Sequence, residues 1–263
     1  MAIAKCLNKM KVALIQTSLI WENPIENRSH LAQKITGFME EVDLIVLPEM
    51  FSSGFTMNPK AVAETMQGET VLWLQHLAKE KNCAITGSLV IEENGNYYNR
   101  LVFVFPNGDI KTYDKRHLFT LAGEHQFYSA GEDKLIINYK GFKICPLVCY
   151  DLRFPVFSRN VEHYDVLLYV ANWPKPRVNA WDILLRARAV ENMCYTIGVN
   201  RIGTDNNNHK YIGHSQVVDF LGEYVLEPQE ADAVFIVELD KAKLLETREK
   251  LTFLIDRDTF EII

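Results

Sequence analysis

Only five cysteines occur in 263 residues (Cys6, Cys83, Cys145, Cys149 and Cys194), an odd number at scattered spacing. This excludes a small disulfide-stapled scaffold and points to reduced thiols in a cytoplasmic protein. Cys145 and Cys149 lack a Cys-x-x-Cys pattern or a neighbouring histidine pattern, so no metal site is expected and Cys145 reads as core. No run approaches the roughly twenty apolar residues of a membrane span. The early stretch Val12-Ala13-Leu14-Ile15 is interrupted by Gln16, Thr17 and Ser18 without a small-residue cleavage site, and it reads as a buried first strand rather than a signal peptide. Positive charge is also short: 28 Lys and Arg stand against 34 Asp and Glu, a net charge of −6, and no basic stripe appears. Phosphate binding needs a cationic face, so nucleic acid is not the expected partner. With 48% hydrophobic residues and no low-complexity tract, the chain can bury one large core, expected as a single domain over 1–263.

Short apolar runs alternate with amphipathic stretches, the pattern of layered α/β architecture. Strands are predicted over Lys11–Gln16 and Asp43–Leu47, with a helix over Asn27–Glu41 carrying Leu31, Ile35 and Phe38. A second helix over Glu69–Lys81 places Leu72, Trp73, His76 and Leu77 at helical spacing, with Trp73 in the core. Asn94-Gly95, Asn107-Gly108 and Lys140-Gly141 then each separate two β-rich runs, the signature of hairpins. The strands so defined are Cys83–Val90, Tyr97–Phe105, Asp109–Asp114, Leu135–Tyr139 and Phe142–Val148. Beyond them come a helix near Pro155–Glu162, a strand over Val166–Val170 and a long helix over Val178–Asn192. Strands over Tyr195–Asn200, Ser215–Asp219 and Ala233–Leu239 follow. The pattern alone supports an α/β fold with several hairpins.

Three of these strands end on residues that can do chemistry. In Leu147-Val148-Cys149-Tyr150-Asp151-Leu152-Arg153-Phe154-Pro155 an apolar strand stops at a thiol. A helix beginning there would favour a thiolate through its dipole, whereas an isolated cysteine is otherwise an ordinary core residue. In Asp43-Leu44-Ile45-Val46-Leu47-Pro48-Glu49 a strand delivers a carboxylate directly after proline, and Asp109–Asp114 runs out into Lys115-Arg116-His117. An unperturbed thiol, with a pKa of about 8.5, is only a few per cent thiolate at neutral pH, so a cysteine nucleophile needs a base or a cation beside it.

Glutamate, lysine and cysteine, at strand ends and in that order, resemble the catalytic triad of the nitrilase superfamily of carbon–nitrogen hydrolases. The likeness continues through Ala171-Asn172-Trp173-Pro174, Trp181, Leu185, Arg186-Ala187-Arg188-Ala189, Glu191-Asn192, Gly198-Val199-Asn200-Arg201, Gly213-His214-Ser215 and Asp219, which are similar to the omega-amidase branch. It runs from Lys11 to about residue 230. The resemblance implies a four-layer α-β-β-α sandwich in which Glu49 is the base, Lys115 its cationic partner and Cys149 the nucleophile. It also implies a second acid, Glu124, nine residues after Lys115. One position departs from the superfamily: many members carry an acid after the proline that follows the nucleophile, where this chain has Val156.

On this resemblance the expected reaction is hydrolysis of the ω-amide of a small dicarboxylic acid monoamide through a thioester, with no metal or organic cofactor. Nitrile hydrolysis, N-carbamoyl amine hydrolysis or metabolite binding without turnover are the alternatives, and so is a Cys–His hydrolase using one of the seven histidines, among them His117, His125, His163 and His214. Phe55, Tyr150, Asn172 and Trp173 fall in loops expected to face the pocket, with Arg177, Lys175 or Arg116 binding a distal carboxylate. Arg153 reads instead as the partner of an internal acid. The apolar segments Leu251–Ile255 and Phe260–Ile263, in a tail from about 240 to 263, suggest docking on the chain's own core or on a second subunit. Superfamily members commonly pair, so a homodimer or larger homo-oligomer is expected.

Overall fold

The computed structural model describes residues 8–262, so Cys6 and Ile263 lie outside the described residues. Two six-stranded sheets stack face to face between layers of helix, a four-layer α-β-β-α sandwich. The first sheet has the order β14-β1-β2-β3-β4-β5 and comprises β1 (Lys9–Gln16), β2 (Leu44–Val46), β3 (Ala84–Glu93), β4 (Asn96–Val104), β5 (Ile110–Asp114) and β14 (Ala233–Asp240). The second has the order β13-β12-β9-β8-β7-β6, from β6 (Ile137–Tyr139), β7 (Phe142–Val148), β8 (Val166–Ala171), β9 (Tyr195–Asn200), β12 (Ser215–Val218) and β13 (Tyr224–Gln229). A separate hairpin pairs β10 (Ile202–Thr204) with β11 (Lys210–Ile212).

Strand periodicity sorts the side chains between layers. Met10, Val12 and Leu14 of β1, Leu44 and Val46 of β2, and Leu101 and Phe103 of β4 enter the cluster shared with the second sheet. Their neighbours Ala13, Ile15, Ile45, Val102 and Val104 face the other way, toward helices α1 (Pro24–Thr36) and α3 (Glu69–Lys81). Helix α4 (Val178–Asn192) covers the second sheet with Trp181, Leu185 and Ala189, one face at helical spacing. Asn23 caps α1 by accepting from the Glu26 N–H at 3.1 Å, and Pro24 supplies a φ already suited to the first turn. In the hairpin turns, Asn94, Gly95, Lys140 and Gly141 all take positive φ, which matches the twist of the flanking strands.

Several sequence expectations fail locally. Helix α1 stops at Thr36, capped by Gly37, so Phe38 packs on the core from outside it. In α3 the buried face is Thr70, Val71, Leu74, Leu77 and Ala78; Leu72 and His76 are exposed and Trp73 is half-buried. No helix forms over Pro155–Glu162. There Asn160 takes over the backbone bonding, donating to Tyr164 O (2.9 Å) and Asn192 O (3.0 Å) and accepting from Tyr164 N (2.9 Å), which holds the segment as a turn. Three strands (β10, β11 and β13) and two helices, α2 (Pro59–Val62) and α5 (Lys241–Lys250), were not foreseen, and α5 occupies part of the expected tail. Among the described residues, no helix is long and apolar enough to cross a membrane.

Candidate active site

Each of the three strand-end residues is delivered by a local device. After β2, Pro48 ends the ladder, and Met50 turns with φ +42 while its N–H donates to Ser88 Oγ at 2.9 Å, which fixes Glu49 between them. After β5, Lys115 N donates to Asn99 O at 3.1 Å and Gly131 N donates to Lys115 O at 3.0 Å. A Cβ on Gly131 would stand 2.3 Å from Asp114 O, so glycine alone lets that loop close on the strand end. After β7, Cys149 itself takes φ +46 and opens a 3₁₀ turn, Cys149–Arg153. Asp151 stabilises this turn: its carboxylate accepts from Val148 N (2.9 Å), Tyr113 Oη (2.7 Å) and His117 N (3.0 Å), and lies 2.8 Å from His117 Nδ1.

The side chains converge. Lys115, 1% exposed, has Nζ 3.0 Å from Glu49 Oε1 and 3.0 and 2.9 Å from the two Glu124 oxygens, and both glutamates are fully buried. Asn99 Nδ2 donates to Glu49 Oε1 at 2.8 Å and to Glu124 Oε1 at 3.2 Å. Glu49 Oε2 accepts from Asn172 N at 2.8 Å, while Asn172 Nδ2 donates to Glu49 O at 2.6 Å. Phe119 N donates to Glu124 Oε2 at 2.5 Å. The half-buried Cys149 thiol faces this group.

Burial pulls the Lys115 ammonium down, but Glu124 and then Glu49 outweigh it and hold the lysine charged well above its ordinary range. Burial, and next the Glu49 charge, push the Glu124 carboxyl up, with Lys115 opposing. Burial likewise pushes the Cys149 thiol well up, reinforced by Glu49 and only partly offset by Lys115. Burial and, after it, the Glu49 carboxylate thus oppose the thiolate that a helix dipole would favour, and one short 3₁₀ turn does not outweigh them.

Above the thiol opens a cavity of about 610 Å³. Glu49, Lys115, Cys149, Phe55, Tyr150, Asn172, Trp173 and Arg177 all line it. Glu124 sits behind Lys115, outside the lining. Of the other cations considered, Arg116 donates to Glu132 O at 2.8 Å and lies over Phe157, and Lys175 is exposed; neither lines the cavity. Arg153 does. It is exposed and forms no ion pair with an internal acid; its guanidinium lies 5.0 Å over the Trp173 ring, and Arg177 lies 5.2 Å over Phe119. His117 is committed to Asp151 and His214 to Asp182, His125 and His163 are exposed, and none of the four lines the cavity. A Cys–His pair gains no geometric support from these four; His209 does line the cavity, with its Nδ1 3.3 Å from Asp205 Oδ2. Sequence reasoning missed Asn99, an unremarkable strand residue, and the β10–β11 hairpin that brings Asp205, Asn207, His209 and Tyr211 to the cavity wall.

A model of the carbon-nitrogen hydrolase family matches residues 11–249, nearly the whole chain. The chain belongs to the carbon-nitrogen hydrolase family. As such it is a hydrolase acting on carbon–nitrogen bonds. This hydrolase is 43% identical over 254 residues to the omega-amidase YafV of Escherichia coli (strain K12), covering 96% of this chain and 98% of that protein. It is 32% identical over 248 residues to the 2-oxoglutaramate amidase of Bacillus subtilis (strain 168), covering 92% and 95%. Its fold matches the crystal structure of a Xanthomonas campestris CN-hydrolase superfamily protein with an arsenic adduct in the active site, at a TM-score of 0.94 and 41% identity, covering 97% of this chain and 99% of that one.

Proposed function

We propose that this hydrolase is an omega-amidase that uses Cys149 as its nucleophile and releases ammonia from the ω-amide of a small dicarboxylic acid monoamide of the 2-oxoglutaramate type. The observation that carries the reading is the meeting of Glu49, Lys115 and Cys149 at one end of a cavity whose wall holds Arg153 and Arg177. The relatives named as omega-amidase and 2-oxoglutaramate amidase support the substrate class. A buried amide end and an exposed cationic wall suit a molecule with one carboxylamide and a distal carboxylate.

The thiol proton passes to Glu49 as sulfur attacks the amide carbon. Lys115 and the Tyr150 backbone N–H stabilise the oxyanion, a role worth about 10²–10³ in rate for a single donor. Glu49 then returns the proton to the amide nitrogen, the C–N bond breaks and ammonia leaves a thioester on Cys149. Water attacks the thioester, giving its proton to Glu49; the acid departs, and Glu49 restores the thiol proton. Glu124 keeps Lys115 charged and in place.

Ammonia release from a panel of ω-amides, with intact mass of protein quenched during turnover, tests this. The expected results are an acyl adduct on the wild type and neither adduct nor ammonia from Cys149→Ala, which keeps its fold. Ammonia without an adduct, or turnover by Cys149→Ala, removes the cysteine mechanism; neither product across the panel favours metabolite binding.

A further inference from the structure

The two buried carboxylates share the same two donors, Lys115 Nζ and Asn99 Nδ2, yet their remaining atoms differ. An ionised carboxylate offers about four lone-pair sites. Glu124 uses all of them: Oε1 accepts from Lys115 (3.0 Å) and Asn99 (3.2 Å), and Oε2 from Lys115 (2.9 Å) and Phe119 N (2.5 Å). Glu49 Oε1 is equally filled, by Lys115 (3.0 Å) and Asn99 (2.8 Å), but Oε2 accepts only from Asn172 N (2.8 Å). Among the described residues, one lone-pair site of the pair receives no nitrogen donor, on Glu49 Oε2.

Asn99 is costly where it stands. It is fully buried on β4, and its Oδ1 has no partner. The opposite amide orientation would aim a third oxygen at two carboxylates, so the unpartnered carbonyl follows from directing both N–H bonds at the glutamates. Asparagine is also poorly suited to a strand interior. The fold tolerates both penalties at one position, and that position touches both acids.

We propose that Asn99 is a positioning residue that closes the Oε1 edge of both glutamates to protons and so directs the working proton to Glu49 Oε2. The inference rests on the reading of Glu49 as the base for Cys149. In that step the Sγ–H bond breaks and an Oε2–H bond forms, with no other proton site in competition. The charged and titratable groups facing the pair are Lys115 from the end of β5, Cys149 from the turn after β7, Tyr128 from the loop after β5 and Tyr211 of β11. Only Asn99 is a neutral donor to both acids.

A donor to an anion lowers its affinity for protons. Removing Asn99 Nδ2 therefore raises the proton affinity of the pair and moves the acid limb of activity to higher pH, by about one pH unit for one charge-assisted bond. The experiment measures kcat, KM and the rate of Cys149 alkylation by iodoacetamide across pH for wild type, Asn99→Leu and the isosteric Asn99→Asp. The expected outcome is an upward shift of the acid limb in both kcat/KM and alkylation for Asn99→Leu, and a larger one for Asn99→Asp, which places a third carboxylate against the pair. KM stays close to wild type, because Asn99 does not line the cavity. Should Asn99→Leu not fold, Asn99→Asp and Asn99→Ser carry the same comparison. An acid limb that coincides with wild type, or a loss equal at every pH, overturns the role of Asn99. If wild-type turnover and alkylation share no acid limb, the base itself is misassigned, a separate failure.

Discussion

Replacing Lys115 by methionine keeps most of the side-chain volume and removes only the charge. Among the described residues, Lys115 is the one cation in contact with two fully buried carboxylates, through contacts of 3.0, 3.0 and 2.9 Å. Breaking a buried ion pair on one side costs about 3–5 kcal/mol, since the remaining charge is left unpaired in a poor solvent. At the unfolding entropy usual for a chain of 263 residues, that corresponds to a Tm lower by about 5–9 °C near pH 8. The loss depends on pH with a definite sign. In the variant the carboxylate pair binds protons more tightly folded than unfolded, so the native state holds more protons and stability falls as pH rises. In the wild type the Lys115 contribution is constant over this range, because its raised pKa lies far above it. Thermal unfolding of both proteins near pH 5.5 and near pH 8 should show the Tm gap widening toward pH 8, and ammonia release should fall by at least about 10²–10³. A gap of equal size at both pH values, or turnover within tenfold of wild type, would refute the claim that Lys115 is the buried counter-charge of this cluster.

The cationic wall makes a selective prediction. Arg153→Ala and Arg177→Ala should each raise KM about 10-fold or more for ω-amides bearing a distal carboxylate, and change it little for an uncharged amide of the same length. Equal effects on both substrates would assign the arginines to packing on Trp173 and Phe119. Phe253 and Ile255 are 60% and 79% exposed, and Ile183 and Val190 lie on the outer face of α4 at 58% and 49%. Burying such surface favours self-association, so light scattering at micromolar protein should give at least a dimer mass; a monomer mass contradicts it.

Strong periodicity made most of the framework legible. The predicted and observed bounds coincide for Glu69–Lys81, Phe142–Val148, Val178–Asn192 and Tyr195–Asn200, the helices marked by helical spacing and the strands by nearly unbroken apolar runs. The positions of Glu49 and Cys149 just after strands were legible because each closely follows an apolar run, and that of Lys115 because it follows a strand set off by a hairpin turn. Helix α5 was not, since KAKLLETREK buries only Leu244 and is held instead by its neighbours, Lys241 and Arg248 reaching Asp165 at 2.8 and 3.2 Å. β13 was missed because its residues alternate between half-buried and exposed and include a proline. The direction of Arg153 and the partners of Asn99 depend on which elements meet, and spacing along one chain holds no record of that.

What meets at the site comes from opposite sheets. Glu49 and Lys115 follow β2 and β5 of the first sheet, whereas Cys149 and Asn172 follow β7 and β8 of the second. Glu49 and Cys149 therefore have no covalent reason to be near one another, and their spacing is set by how the inner faces pack. Polar links at the site span that boundary: Asn172 holds Glu49 at both its side chain and its carbonyl, and Asp151 ties the Cys149 turn to Tyr113 on β5 and to His117 just beyond it. Dispersion and hydrophobic burial between the sheets supply the attraction but little direction, since apolar side chains tolerate small slides. Hydrogen bonds to buried carboxylates are directional and expensive to leave unmade, so they fix the last fraction of an ångström that proton transfer requires. The polar residues at the seam thus convert a packed sandwich into a site in which the Cys149 thiol faces Glu49 and Lys115.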